Sequence, residues 1–266
     1  MDTFTDFLAK QNLSKNTISA YQIAISGFQN FCEDVTKKNL LLYKTYLIEN
    51  FKAKSVNLKI QAINRYLEYI GKPNLRLKFI KVQQRLFLEN VISDADYVFF
   101  KKRLKKEQNL EWYFVVRFLC ATGARVSELI KIKVEHVKLG YIDLYAKGGK
   151  IRRIYIPITL RKETIKWLEE QNLESGYIFR NRFGERITTR GISQQLKNFA
   201  VKFGVDPKVV YPHSFRHRFA KNFLEKYNDI ALLADLMGHE SIETTRIYLR
   251  KTASEQQQIV DKIVTW

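Results

Sequence analysis

Apolar residues along the first 72 positions recur at intervals of three and four, and this spacing constrains the fold more than any other feature. Two sets of residues follow it: Ile18, Tyr21, Ile25, Phe28 and Cys32, and then Val56, Ile60, Ile63, Leu67 and Ile70. Such a spacing places each set on one face of a helix. Ser14 is placed to cap the first of these helices, Gly71 and Pro73 follow the second, and residues 40–51 supply a helix between them. Residues 1–72 are therefore predicted to form a compact, all-helical domain.

The chain changes character after this segment. Residues 74–88 contain Lys and Arg but no Asp or Glu, so we predict a basic linker over residues 73–90. Helical spacing returns in residues 91–266 and is interrupted at 141–156, where alternating residues flank Lys147-Gly148-Gly149-Lys150 in the pattern of a β-hairpin. Residues 177–179 predict a short third strand. The fold class is accordingly mostly α with a small antiparallel β-sheet, in two domains.

The charge balance points to the kind of partner. Lys and Arg number 46 against 27 Asp and Glu, which gives a net charge of +19, and both domains share the excess. Because such an excess opposes compaction by self-repulsion, a polyanionic partner is its expected cause. The two cysteines lie far apart and outside any metal-binding motif, which fits a reducing cytoplasm. We find no secretion signal and no membrane-spanning segment.

Several common chemistries lack their motifs in this chain. It contains no nucleotide-binding glycine pattern of either common kind and no serine-hydrolase elbow. His213 and His217 stand four residues apart and would share a helix face, as metal ligands can. Arg216 and Arg218 flank this pair, however, and no carboxylate lies nearby, so a dication would meet like charge. We expect no metal and no cofactor.

A different group of residues supports phosphoryl chemistry. Cations, imidazoles and a phenol stand in three short motifs and one hairpin turn: Arg125, Lys147, His213, Arg216, His239 and Tyr248. A phosphodiester attacked by tyrosine gains negative charge on its nonbridging oxygens, so the site needs fixed cationic donors. Arg125 and Arg216 suit this role because a planar guanidinium can hold two phosphate oxygens. Tyr248 is the candidate nucleophile, and as a phenol with an ordinary pKa of about 10 it needs cations nearby to ionise. His213 is its expected proton acceptor.

These motifs closely resemble the tyrosine recombinase (phage integrase) family. The resemblance rests on Ala-Thr-Gly-x-Arg-x-Ser-Glu-Leu at Arg125, on His-x-x-Arg at 213–216, and on Gly-His followed nine residues later by Tyr248. It covers essentially the whole chain, since residues 12–31 resemble the family's helical core-binding domain. It implies a SAM-like, DNA-binding domain at 1–72 and a mixed α/β catalytic domain at 91–266 that ends in a tail helix.

The resemblance also implies a role for each remaining site residue. Lys147 would protonate the leaving 5′-oxygen, although Lys150 in the same turn stays an alternative. His239 would donate to a nonbridging oxygen, and Glu128 would orient Arg125 from behind the site. The product would be a 3′-phosphotyrosyl link with a free 5′-hydroxyl. This exchange conserves bond energy, so neither a metal nor ATP is implied.

The resemblance implies a site-specific recombinase of the minimal two-domain, Xer-like form that exchanges strands through a Holliday junction. Its partner would be double-stranded DNA, held from opposite faces by the two domains. The chain would be a monomer or dimer when free and a homotetramer on DNA, with accessory proteins allowed, in the cytoplasm and associated with the nucleoid. Two alternatives remain at this point: a type IB topoisomerase, which relaxes DNA without exchanging strands, and a DNA-binding protein without catalysis.

Overall fold

The structure is a computed structural model that describes residues 3–82, 90–145, 151–239, 241–249 and 253–264. The chain divides into two compact units, Met1–Gln84 and Arg85–Trp266. Each unit has a hydrophobic core of its own.

Every secondary-structure element described in the first unit is a helix. Its elements are α1 Phe4–Lys10, α2 Lys15–Gln29, α3 Lys37–Asn50, α4 Ala53–Tyr69 and a short 3₁₀ helix at Pro73–Leu75. The predicted N-cap is confirmed, because the Ser14 side chain accepts from the backbone N–H of Thr17 at 3.2 Å. The predicted apolar face of α4 is buried as well: Val56, Ile60, Ile63 and Leu67 are all fully inaccessible to solvent.

Residues 73–82 differ from the predicted linker. Leu77 is buried in the core of the first unit, and Asn64 binds its backbone on both sides, accepting from Leu77 N at 2.8 Å and donating to Leu77 O at 3.0 Å. Asn57 does the same for Ile80, with both distances at 2.9 Å. The sequence-based boundary at residue 72 therefore falls too early, because two amide side chains of α4 fix this extended segment to the first unit. The rest of the predicted linker, residues 83–89, lies outside the described residues.

The second unit combines helices with a β-hairpin. Its elements are α5 Asp94–Lys106, α6 Leu110–Thr122, α7 Val126–Leu129, α8 Val134–Leu139, β1 Tyr141–Tyr145, β2 Ile151–Tyr155, α9 Ile158–Glu170, α10 Thr189–Phe203, α11 Pro212–Tyr227, α12 Ile230–Met237, α13 Ile242–Thr245, a 3₁₀ helix at Arg246–Leu249 and α14 Ala253–Ile263. The predicted fold class, mostly α with a small antiparallel sheet, is confirmed. None of the helices described is long and apolar enough to cross a membrane.

The sheet contains two strands within the described residues. β1 and β2 run antiparallel with Tyr141 opposite Tyr155 and Tyr145 opposite Ile151, as the hairpin pattern predicts. The third strand predicted at 177–179 is wrong, since Tyr177 forms only an isolated bridge with Lys133. The apolar run there is explained by burial, because Ile178 and Phe179 are almost inaccessible to solvent in the core.

Helix α6 forms the centre of the second unit. Seven of its 13 residues are buried, and it packs along α11 on one side and α5 and α9 on others. It ends at Gly123, whose φ of +61° is a left-handed conformation that favours glycine. A Cβ at Gly123 would also lie 2.4 Å from Cδ1 of Phe219, so the glycine lets the end of α6 approach α11 closely. This approach brings the segment after α6 beside the start of α11.

Candidate active site

The site is built around the carboxyl end of helix α12. Asp229 caps the start of the helix, where its carboxylate accepts from Leu232 N at 2.9 Å, and Gly238 with φ +60° caps its end. The last carbonyls of a helix have no partner within it and lie at the negative end of its dipole. Here each of three consecutive carbonyls accepts from a different arginine: Leu236 from Arg152, Met237 from Arg216, and Gly238 from Arg125. The helix end therefore gathers three guanidinium groups that would otherwise repel one another.

Arg216 is the most deeply buried of these arginines. Only 1% of its surface is exposed, and it donates to Gly123 O, to Met237 O at 2.7 Å and to Nε2 of His239 at 3.0 Å. Burial, together with the charges of Arg125 and Arg152, lowers its pKa to about 10. The group therefore stays protonated at neutral pH. Its Nε atom has no hydrogen-bond partner among the described residues.

Arg125 lies nearer the surface, with 38% of its side chain exposed. It is the residue before helix α7, and Glu128 in the first turn accepts from its backbone N–H at 2.7 Å and from its Nη1 at 2.9 Å. Burial opposes ionisation of Glu128, but the charge of Arg152 and hydrogen bonds from Arg125 and Arg152 outweigh it and hold the carboxyl pKa below its ordinary value. Glu128 thus contacts both the backbone and the guanidinium of Arg125, and its orienting role stays a prediction.

His239 and Tyr248 lie next to the buried arginine. The Nδ1 atom of His239 lies 2.8 Å from the hydroxyl of Thr245, a residue with no exposed surface. Burial and the charge of Arg216 lower the pKa of His239 to about 4. The Tyr248 ring stacks on His239 at 6.1 Å with an angle of 12° between the planes, and Arg216 is close enough to act on the pKa of its hydroxyl.

Tyr248 is buried in the described state. It retains 5% exposure and packs in a small cluster with Ala220, Leu224, Leu233 and Met237. Burial raises the pKa of Tyr248, whereas Arg216 and Arg125 act in the opposite direction. The phenol is therefore uncharged at neutral pH, beside the guanidinium of its own chain.

Two histidines from successive turns of α11 complete the group of rings near the phenol. The His217 ring lies 5.1 Å from the Tyr248 ring and 5.6 Å from that of His213. Burial lowers the pKa of His217 to about 4, and partial burial with the charges of Arg216 and Arg125 lowers that of His213. No group of three or more potential metal ligands occurs among the residues that the structure describes.

The structure thus brings together most of the side chains that the sequence singles out: Arg125, Glu128, His213, Arg216, His239 and Tyr248. Lys147 and Lys150 lie outside the described residues, between the end of β1 at Tyr145 and the start of β2 at Ile151.

Sequence reasoning missed two residues of this site. Arg152 is 9% exposed and contacts both Glu128 and helix α12. Strand alternation was the available signal, because it places Arg152 on the same face as the buried Ile154. No sequence signal identifies Thr245. It follows another threonine, Thr244, and only the fold shows that the Thr245 hydroxyl is buried while Thr244 is exposed.

Comparisons with known proteins show the family to which this chain is similar. The sequence model described as the phage integrase family matches residues 92–255. The tyrosine recombinase XerA of Pyrococcus furiosus is 30% identical and aligns over 98% of this chain and 93% of its own length. The tyrosine recombinase XerC of Leptospira interrogans is 26% identical over 95% of this chain and 88% of its own.

Solved structures show the same fold. The crystal structure of the XerH site-specific recombinase bound to difH substrate superposes with a TM-score of 0.72, at 18% identity, over 96% of this chain and 81% of that one. The chain belongs to the phage integrase family. It is a tyrosine recombinase, an enzyme of site-specific DNA recombination.

Proposed function

We propose that this chain cleaves and rejoins duplex DNA through a 3′-phosphotyrosyl intermediate on Tyr248 and exchanges strands through a Holliday junction. One observation carries the proposal: residues from positions 125, 216, 239 and 248 meet at the carboxyl end of one helix. If these residues were unrelated surface side chains, nothing would require them to lie at one place in the fold. Together they supply cations, a hydrogen-bonding imidazole and a phenol to one point.

The arginines would bind the scissile phosphate. Arg125 is the exposed one, and Glu128 and Gly238 O already hold its guanidinium in one direction. Arg216 is buried and contacts His239, so it would reach the phosphate only as side chains around it move. Charge that develops on the nonbridging oxygens would then meet two fixed cations in a site with little water, where electrostatic stabilisation is strongest.

The phenol would become reactive by leaving its cluster. Burial is what raises the pKa of Tyr248 in the described state, while Arg216 and Arg125 lower it. When the ring swings toward a bound phosphate, the burial contribution falls and the two charges remain, so the pKa drops. His213 would accept the proton, since its own pKa is lowered and its imidazole is neutral at pH 7.

The covalent step is a balanced exchange of esters. The Tyr248 oxygen forms a bond to phosphorus, the bond from phosphorus to the 5′-oxygen breaks, and a proton from Lys147 converts the leaving group into a 5′-hydroxyl. The lysine role follows from the family resemblance and from the sequence position of Lys147 between strands β1 and β2. Attack by a 5′-hydroxyl from another strand reverses these bonds and completes the exchange. No metal or ATP takes part in this scheme.

Double-stranded DNA is the partner that the net charge of +19 and the relatives support. The XerH structure, for example, is described as bound to its difH substrate. Four copies would assemble on DNA, with helix α14 as the contact between neighbours, because Val260, Ile263 and Val264 on that helix and just after it are 52%, 61% and 45% exposed. Accessory proteins could direct the reaction. The enzyme would work in the cytoplasm, associated with the nucleoid.

A nicked suicide substrate tests the proposal. Such a duplex loses the short strand that carries the 5′-hydroxyl, so the covalent intermediate accumulates and migrates as a shifted band on a denaturing gel. We expect this band with the wild-type chain and with Tyr227→Phe, a matched change at an exposed tyrosine (64%), and no band with Tyr248→Phe. A band that survives Tyr248→Phe would contradict the proposal. An assay of strand exchange between two short duplexes then distinguishes a recombinase from a topoisomerase. If no band forms under any condition, the non-catalytic alternative is favoured.

A further inference from the structure

Arg152 is a buried cation to which the catalytic scheme assigns no role. On strand β2 the outward residues Ile151, Arg153 and Tyr155 are exposed, whereas Arg152 and Ile154 point into the unit. Arg153 pairs with Asp143 across the hairpin at 2.8 Å and stays 42% exposed. Arg152 is 9% exposed. Two adjacent arginines therefore differ sharply in environment, and a buried arginine is retained only where its donors are well used.

The Arg152 guanidinium joins two elements of the site. Its Nη1 donates to Oε1 of Glu128, and its Nε and Nη2 donate to Leu236 O at 3.1 and 2.8 Å. The aliphatic part of the side chain also lies against Gly238, where an added Cβ would fall 2.2 Å from Cδ of Arg152. Only a glycine permits this approach, so the fit between strand β2 and the end of α12 is close.

Arg125 uses the same two supports. Its Nη1 donates to the same Oε1 atom of Glu128 at 2.9 Å, and its Nη2 donates to Gly238 O at 3.0 Å, two residues beyond the carbonyl that Arg152 holds. Each of the two guanidinium groups therefore connects the Glu128 carboxylate to the end of helix α12. One link is buried and the other, Arg125, is 38% exposed.

We propose that Arg152 is a positioning residue for DNA cleavage, which fixes Glu128 and the end of helix α12 so that Arg125 is aimed at the scissile phosphate. This inference rests on the function proposed above. Without Arg152, the Glu128 oxygen loses its buried donor and the Leu236 carbonyl loses two hydrogen bonds. The carboxylate and the turn at Gly238 would then shift, and Arg125 would shift with them. A displacement of about 1 Å at a reacting group costs about 100-fold in rate.

Single-turnover cleavage of the nicked substrate at saturating DNA tests the role. We expect Arg152→Gln to lower the cleavage rate constant about 10- to 100-fold, as loss of an orienting partner does elsewhere, while DNA affinity changes little. The matched control is Arg153→Gln, which removes the same charge from the exposed face of the same strand and should stay within about 2-fold of wild type. A rate for Arg152→Gln equal to that of the control overturns the inference.

Loss of folded protein is distinguishable from loss of position. Partial unfolding lowers the final yield of adduct at an unchanged rate constant, whereas misplacement of Arg125 lowers the rate constant at an unchanged yield. Arg152→Lys keeps the charge but replaces a planar guanidinium by a point charge. Compared with Arg152→Gln, it should restore the melting temperature more fully than the cleavage rate constant. Full recovery of the rate by lysine would overturn the geometric argument, and Arg152→Lys also serves if Arg152→Gln fails to fold.

A double variant identifies what Arg152 acts through. In an Arg125→Ala background the group to be positioned is gone, so adding Arg152→Gln should change the residual rate by less than about 3-fold. Full additivity of the two effects would show that Arg152 acts independently of Arg125 and would overturn the inference. A wild-type chain that forms no adduct would instead overturn the proposed function itself.

Discussion

Nη2 of Arg216 lies 3.0 Å from Nε2 of His239, and because a guanidinium only donates, the histidine nitrogen accepts. The proton of the neutral imidazole is therefore on Nδ1, from which it is donated to the Thr245 hydroxyl at 2.8 Å. A lone pair on Nε2 suits Arg216 but would repel a phosphate oxygen. His239 can donate to DNA only after Nε2 gains a proton, so phosphate binding and protonation of His239 should be linked.

We predict that His239 titrates at a low pH in the free protein and at a higher pH on DNA. Burial and the charge of Arg216 hold its pKa at about 4 in the free site, and an anionic phosphate beside Nε2 favours the charged form. Nitrogen-15 NMR of labelled histidine measures both the midpoint and the tautomer. An Nε2–H tautomer in the free protein, or a midpoint that DNA leaves unchanged, would contradict this assignment.

Thr245→Val removes the acceptor of the Nδ1 proton without changing the shape of the side chain. A buried donor left without a partner costs about 1–3 kcal/mol, so cleavage of the suicide substrate should slow about 10-fold. Thr244→Val is the matched control, because Thr244 is exposed. Equal rates for the two variants would show that Thr245 does not hold His239.

The lowered pKa values of His217 and His239, both about 4, predict a loss of stability in mild acid. The two histidines take up protons near pH 6.5 in the unfolded chain but only near pH 4 in the folded chain. The free energy of unfolding is therefore at its full value above pH 6.5 and decreases as the pH falls toward 4. After a discount for solvent access to the rings, we expect about 1 kcal/mol per histidine between pH 7 and pH 5. Urea unfolding at the two pH values measures it. His217→Gln should reduce the difference, and an unchanged difference would count against the buried neutral imidazole.

Part of this architecture is readable in the sequence and part of it is not. The stripe from Val56 to Leu67 is buried as its spacing predicts, because helical periodicity follows from local geometry. The sequence does not give the bounds of helices α7 and α8, since four and six residues are too short to display a period. The attachment of residues 73–82 depends on amide side chains that bind distant backbone atoms, and such pairing leaves no local pattern. The role of Arg152 is hidden for the same reason.

Lys147→Ala is predicted to be rescued by a substrate with sulfur in the 5′-bridging position. A thiolate leaves without a proton, so the general acid becomes unnecessary. The rates on normal and sulfur-containing suicide substrates are compared for Lys147→Ala and Lys150→Ala. Rescue of Lys150→Ala alone would transfer the acid role to Lys150, and rescue of neither would show that neither lysine is the general acid.

Truncation after Lys251 removes helix α14 with its exposed Val260 and Ile263. If this helix joins neighbouring subunits, the shortened chain should still cleave a single site but should recombine two sites poorly. Adduct formation on one suicide duplex and product formation from two intact duplexes separate these activities. Equal recombination by the truncated and full-length chains would exclude the helix from assembly.

Direct identification of the DNA-linked residue tests the central claim most sharply. Trypsin cuts after Arg246 and Arg250, so it releases Tyr248 in a four-residue peptide, Ile247–Arg250, in which it is the one hydroxyl-bearing residue. After the suicide reaction and nuclease digestion, mass spectrometry should find this peptide carrying a nucleotide through its 3′-phosphate. A nucleotide on any other peptide, or linkage through a 5′-phosphate, would contradict the account.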